Sequence, residues 1–221
     1  MKIIAVGMNY SAHVSEMQRA DLLPLSPAAA DRVGRRIDAE PEPVFFLKGD
    51  TLLREGYPFF YPDFSDEIHY ETELVVRIDR VGKCIAERFA HRYYSEVSVG
   101  IDFTARDLQR RAKAEGLPWT VAKAFDNAAA VGQWVKKDTL QRGVQELDFR
   151  LDVDGRTVQS GNTRDMLHSV DRLVAYASRF FMLRMGDILF TGTPAGVGPI
   201  AIGQHLEAFL EGRKLLDISI K

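Results

Sequence analysis

The chain has 221 residues, 46% of them hydrophobic, which is enough for one substantial core, and no Ser/Gly-rich or charge-rich linker divides it. Its formal net charge of −2, with basic residues scattered apart from short pairs such as Arg35-Arg36, argues against nucleic acid or an anionic membrane as partner. The one cysteine, Cys84, excludes an internal disulfide and suits the cytoplasm, and no stretch reaches the roughly 20 apolar residues of a membrane span.

In chain order, a first strand is expected over 2–6, followed by Gly7 and a short helix over 9–17 that Asn9 or Ser11 can cap. His13 and Glu16 lie three apart on one face of that helix, close enough to share a proton or a water. Residues 18–43 carry Pro24, Pro27, Pro41 and Pro43 around an Ala/Arg-rich piece, with room for a short helix over 26–36. This segment reads as a long surface excursion, of the kind that moves over a site as a lid. From Val44 the pattern is strand-rich, with strands expected over 44–47, 59–61, 71–78 and 95–102. A helix over 104–115 starts at Thr104 as its cap and stops at Gly116, with Pro118 beyond. The remainder alternates between strands at 133–135, 148–152 and 188–190, a turn at Asp154-Gly155, and a helix over 169–182. That helix has its apolar face at Val170, Leu173, Val174 and Ala177. The glycine-rich loop over 192–198 lacks the Lys-Ser/Thr ending of a phosphate-binding loop, so nucleotide binding is weakly supported.

The chemistry concentrates at Glu71 and Glu73. Side chains two apart in a strand share a face, so both carboxylates converge, and like charges in a partly buried site repel unless a metal or a proton compensates. Taken alone, Glu-x-Glu better suits the acidic outer face of a surface strand, and it is the neighbouring motifs that turn the reading toward a site. A second carboxylate-terminated strand follows, ending at Asp102 just before the helix. Arg106 and Gln109 continue from Asp102 at spacings of four and three, which places them on one side of that helix. A solvated helix face is the alternative, and it accounts better for Arg110, Arg111 and Lys113 than for Arg106 and Gln109.

Several separated motifs agree with one another: Gly7-Met-Asn-Tyr10 with His13 and Glu16; Phe46-Leu-Lys48; His69-Tyr-Glu71-Thr-Glu73; Gly100-Ile-Asp102-Phe-Thr-Ala-Arg106-Asp-Leu-Gln109; Gly116-Leu-Pro-Trp-Thr-Val-Ala-Lys123; and Gly186-Asp-Ile-Leu-Phe-Thr-Gly-Thr193-Pro-Ala-Gly-Val-Gly198. In their order and number they resemble the fumarylacetoacetate hydrolase family in its short single-domain form, near the acylpyruvase and oxaloacetate decarboxylase branch. The resemblance implies an α+β, β-rich fold, a mixed β-sandwich roll over 1–221 with 8–43 as lid and mobile excursion, and a homodimer. It also implies a divalent ion, Mg²⁺ with Mn²⁺ or Ca²⁺ able to replace it, held by Glu71, Glu73 and Asp102. Three carboxylates suit such a hard cation. Arg106, Gln109 and Lys123 resemble the family's anchors for the substrate carboxylate and adjoining oxygen, with Lys123 expected on the next strand, and Thr193 adds a hydroxyl or backbone donor. His13 resembles a general base on the lid, oriented by Glu16.

Three departures lie at the rim. The interval between Glu16 and Glu42-Pro43 is longer than in compact relatives, Met8 stands where many carry arginine, and Gly49-Asp50 follows Lys48 where proline is common. The resemblance implies a metal-dependent hydrolase that cleaves carbon-carbon bonds of acylpyruvate-like diketo acids, with decarboxylation of oxaloacetate as a possible second activity. The alternative is an isomerase or tautomerase of oxaloacetate-like or 2-hydroxyhepta-2,4-diene-1,7-dioate-type acids. A hydratase, and a metal-dependent binding protein without catalysis, stand behind these.

Overall fold

A computed structural model describes residues 1–19 and 42–221 of the chain. Most of the excursion expected over 18–43, including its short helix at 26–36, lies outside the described residues. In chain order the elements are β1 (Ile3–Gly7), α1 (Ser11–Arg19), β2 (Val44–Gly49), β3 (Ile68–Tyr70), β4 (Thr72–Ile78), α2 (Glu87–Ala90) and β5 (Tyr94–Asp102). They continue with β6 (Thr104–Ala105), α3 (Arg106–Glu115), α4 (Thr120–Lys123), β7 (Ala129–Val131), β8 (Val135–Lys136), β9 (Asp148–Val153) and β10 (Arg156–Asn162). The last are α5 (Val170–Phe180), β11 (Ile188–Phe190), β12 (Gly198–Pro199), β13 (His205–Leu210) and β14 (Arg213–Ser219).

The largest sheet runs β2-β1-β11-β4-β5-β7, with β8 also on β5; a second runs β10-β9-β13-β14 and a short third runs β12-β3-β6. β1 pairs parallel with β11 and antiparallel with β2, so the large sheet is mixed. The architecture is the expected β-rich α+β fold, with the large sheet curled into a half-barrel. β1 reads as continuously apolar because both its faces are covered. Ile4 and Val6 enter the main core, while Ile3 and Ala5 pack with Val75, Ala129, Ile188 and Phe190 on the other side. α5 buries Val170, Leu173, Val174 and Ala177 as expected, and the Ser169 hydroxyl caps it by accepting from Arg172 N. Asp154 and Gly155, both at positive φ, turn β9 into β10.

Four expectations are corrected. Thr104 does not cap the following helix: it pairs with His69 in the third sheet, and α3 begins two residues later, after Ala105. Residues 59–61 form only a bridge, Phe59 to Ile220, rather than a strand. Glu71 is not part of a strand over 71–78, because it sits in the break between β3 and β4, where the chain leaves the small sheet for the large one. Lys123 ends a short helix, α4, instead of lying on a strand.

Candidate active site and metal centre

The break at Glu71 is what gathers the carboxylates. Its carbonyl accepts from Asp102 N at 2.9 Å, which holds the end of β5 against it. Glu73 is the second residue of β4 and pairs with Gly100, where a Cβ would fall 2.8 Å from both the Ala130 carbonyl and the Phe190 ring; this position requires glycine for the strands to approach. The result is a buried cluster in which ligand oxygens of Glu71, Glu73 and Asp102 all lie within 4.8 Å of one another, the three residues being 6%, 1% and 1% exposed. These are not the carboxylates of a solvated outer face.

Three cations surround them. Lys123 Nζ donates to Glu71 Oε2 at 2.7 Å, to Asp102 Oδ2 at 2.9 Å and to Thr104 Oγ1 at 2.6 Å. Arg106 pairs with Glu71 Oε1 and donates to Gln109 Oε1 at 2.6 Å, so Arg106 and Gln109 do share one side of α3, next to the carboxylates. Lys48 was missed by sequence reasoning. It is fully buried, donating to Asp102 Oδ1 at 2.5 Å and to the Lys123 carbonyl at 2.5 Å, so it ties the end of β5 to α4. The available signal was a lysine inside the otherwise apolar stretch Phe45-Phe46-Leu47.

The charges are unevenly balanced. Burial pushes the Glu71 carboxyl up, but Lys123 and Arg106 hold it well below the usual range. Burial pushes Glu73 the same way, and the Asp102 and Glu71 charges add to it, so Glu73 is raised well above the usual range. It accepts from a backbone amide, Gly192 N, at 2.6 Å from Oε2. Gly192 has φ +97°, and this left-handed conformation aims its N–H at the carboxylate. For Lys123, burial lowers the ammonium pKa, but Asp102 and Glu71 raise it further, so it stays protonated.

The first helix covers this cluster. Asn9, fully buried, anchors its start by donating to the His168 and Thr191 carbonyls and accepting from His168 N. His13 Nδ1 lies 3.3 Å from Glu16 Oε2, as the spacing required. Glu16 also accepts from Gly196 N at 3.0 and 3.2 Å, so the helix is latched to the glycine-rich loop. Thr193 on that loop donates to the Thr72 carbonyl at 2.9 Å and accepts from Gln159 Nε2 at 2.9 Å. Gln159, which the sequence did not single out, is buried and also accepts from Thr72 N, so it fastens the loop to β4. A small cavity of ≈ 40 Å³ is lined by His13, Glu71, Glu73, Arg106, Gln109, Lys123 and Thr193, and also by Phe46, Lys113 and Trp119. The residues proposed for the site therefore meet at one place; Asp102 and Glu16 act from just behind its wall.

The donor set fits a hard divalent cation. All three side chains offer oxygen, they are buried together, and among the described residues Glu73 has no ionic partner of the kind Glu71 and Asp102 have. Any such ion would share these carboxylates with Lys123 and Lys48.

Fold and site together define the class of protein. The chain matches the fumarylacetoacetate hydrolase C-terminal family over residues 2–221 and belongs to that family. It is 38% identical over 221 residues to the mitochondrial oxaloacetate tautomerase FAHD1 of Arabidopsis thaliana, covering 100% of this chain and 91% of the relative. It is 34% identical over 215 residues to the oxaloacetate tautomerase YcgM of Escherichia coli, covering 97% and 90%. Among solved structures, the fumarylpyruvate hydrolase of Pseudomonas aeruginosa in complex with Mn²⁺ and pyruvate superposes with a TM-score of 0.85 at 32% identity, covering 100% of this chain and 89% of that one.

Proposed function

We propose that the protein is a divalent-metal-dependent tautomerase of short 2-oxo acids of the oxaloacetate type. The observation that carries this reading is that His13, held by Glu16, faces one cavity together with Glu71 and Glu73, with Asp102 directly behind them, so a proton acceptor and a buried carboxylate trio able to hold a metal meet at one place. The similarity to two oxaloacetate tautomerases supports it and reverses the order in which the sequence ranked the reactions.

Glu71, Glu73 and Asp102 would hold the metal, with Mg²⁺ the first choice and Mn²⁺ or Ca²⁺ the alternatives. When bound, it supplies Lewis-acid polarisation of the oxo and carboxylate oxygens. The protein's own groups do the rest. With Nδ1–H donated to Glu16, the His13 imidazole presents Nε2 as an acceptor and takes a proton from the carbon beside the oxo group. Lys123, kept charged by Glu71 and Asp102, sets its positive charge beside the oxygen on which negative charge develops. Arg106 and Gln109 position the carboxylate next to the oxo group, and Thr193 holds the loop that closes the cavity.

Hydrolysis of acylpyruvate-like diketo acids is the second reading, favoured by the fact that a His/Glu pair on a covering helix can equally take a proton from water. Assays on metal-loaded protein with oxaloacetate, acetylpyruvate and fumarylpyruvate, following enol–keto conversion, CO₂ release and C–C cleavage separately, decide between them. The tautomerase reading requires His13→Ala to slow enol–keto conversion by about two to four orders of magnitude. Wild-type rates in that variant would remove His13 from the mechanism, and C–C cleavage without tautomerisation would select the second reading.

A further inference from the structure

Glu67, His69 and Glu71 lie just before β3, within it and just after it, and side chains two apart in extended chain share a face. That face meets α3. Arg106 and Arg110 are four residues apart, about 6 Å along the helix, close to the roughly 6.8 Å that two strand residues span, so the two rows interlock. Arg110 takes Glu67, with Nη1 donating to Oε1 at 3.1 Å and Nη2 pairing with Oε2. Arg106 N donates to the Glu67 carbonyl at 2.7 Å, which sets the start of α3 against the strand.

His69 stands between these pairs, its side chain 12% exposed, behind the cavity wall. Its Nδ1 lies 3.4 Å from Arg106 Nε and its Nε2 lies 2.9 Å from Glu67 Oε1. An arginine Nε always carries its proton, so His69 Nδ1 accepts, and the ring is the neutral tautomer whose Nε2–H is donated to Glu67. Arg106 is then held at each of its three nitrogens: Nε by His69, Nη1 by Gln109 Oε1 at 2.6 Å and Nη2 by Glu71. Gln109 and Glu71 line the cavity, so a carboxylate arriving there meets Nη1 and Nη2. The Nε bond lies behind, and it is the one that such a ligand leaves intact.

We propose that His69 is a positioning residue for the substrate carboxylate: its Nδ1 stops the Arg106 fork from turning, and Glu67, itself held by Arg110, fixes the tautomer that lets it do so. The proposal rests on the reading of Arg106 as the carboxylate anchor. It adds a support for that anchor which lies outside the cavity and runs to the surface at Arg110.

Two measurements test it. In wild type, nitrogen NMR of the histidine rings at neutral pH should find the His69 proton on Nε2, and a proton on Nδ1 overturns the proposal without need of a variant. The second measurement is calorimetric titration of Mg²⁺, and then of oxalate into the Mg²⁺-loaded protein. His69→Phe keeps a flat ring but removes the acceptor, so oxalate affinity should fall about tenfold while Mg²⁺ affinity stays within about twofold. His69→Asn returns an acceptor near the place of Nδ1 and should recover most of the loss. In an Arg106→Lys background, where there is no fork to orient, adding His69→Phe should weaken oxalate no further. Unchanged oxalate affinity in His69→Phe, an equal fall in Mg²⁺ affinity, or a further loss of the same size in the Arg106→Lys background each overturns the proposal. Enol–keto conversion of oxaloacetate is read separately on the same samples. Oxalate binding that depends on His69, without turnover, keeps this inference and removes the tautomerase reading, whereas turnover with oxalate binding independent of His69 does the reverse.

Discussion

At the residue scale, the site is a balance of buried charges, and its members should respond differently to removal. Glu73 carries the carboxylate least compensated by the protein, so Glu73→Ala should sharply weaken Mg²⁺ binding, and calorimetry with unchanged affinity would separate this residue from the metal. Lys48 behaves in the opposite sense. Lys48→Met removes one of the two ammoniums on buried Asp102, leaving Lys123, and takes away the donor to the Lys123 carbonyl, a loss of about 1–3 kcal/mol. Urea denaturation should show that loss, and saturating Mg²⁺ should recover part of it if the ion shares Asp102. Arg106 is a fork held between Glu71 and Gln109, so Arg106→Lys should weaken oxalate binding to Mg²⁺-loaded protein although the charge is kept. Arg106 and Gln109 were legible because their spacing of three on α3 predicts a shared side, and the carboxylates were legible as a cluster although Glu71 lies outside the strand assumed for it. Lys48 was named only within a motif, because its carboxylate partner lies 54 residues away and a lysine in an apolar stretch does not say which group it will meet.

At the scale of elements, the first helix and the glycine-rich loop form one closure. Glu16 joins them: burial pushes its carboxyl up, but the His13 imidazole and the Gly196 N–H hold it below the ordinary carboxylate range. Because the folded value is the lower one, the unfolded chain takes up the proton first as pH falls. The latch therefore contributes fully above about pH 4.3 and is lost as pH falls through the lower folded value. Wild type should melt above Glu16→Gln near pH 7, and the two melting temperatures should converge in acid. Gly192 has a different sensitivity. A Cβ there meets the Asn9 Cβ at 2.7 Å and the residue has φ +97°, so Gly192→Ala should lose about 1–3 kcal/mol in denaturant unfolding and also disturb the donor to Glu73. Sequence patterns placed β1, β5, β11 and α5 well, since their apolar faces are set locally. They failed at Thr104 and Glu71, where the chain changes sheets and long-range pairing overrides local capping and alternation.

At the scale of the whole molecule, the order of strands differs from their order in the sequence. β1 lies between β2 and β11, and β11 in turn lies between β1 and β4, so residue 3 registers with residue 188. Such distant pairings carry a loop-closure penalty and slow folding. During synthesis, β4 and β5 can form their hairpin early, with Glu73 and Asp102 already side by side. The first strand cannot join the sheet of β4 until the segment at 188–190, which lies between the two, exists, and the Gly192 amide that serves Glu73 comes later still. A ribosome stalled before that point would therefore hold a half-built sheet with Glu73 still without its Gly192 donor and bare apolar edges at β1 and β4, a nascent chain that asks for a chaperone rather than one that can begin to bind metal.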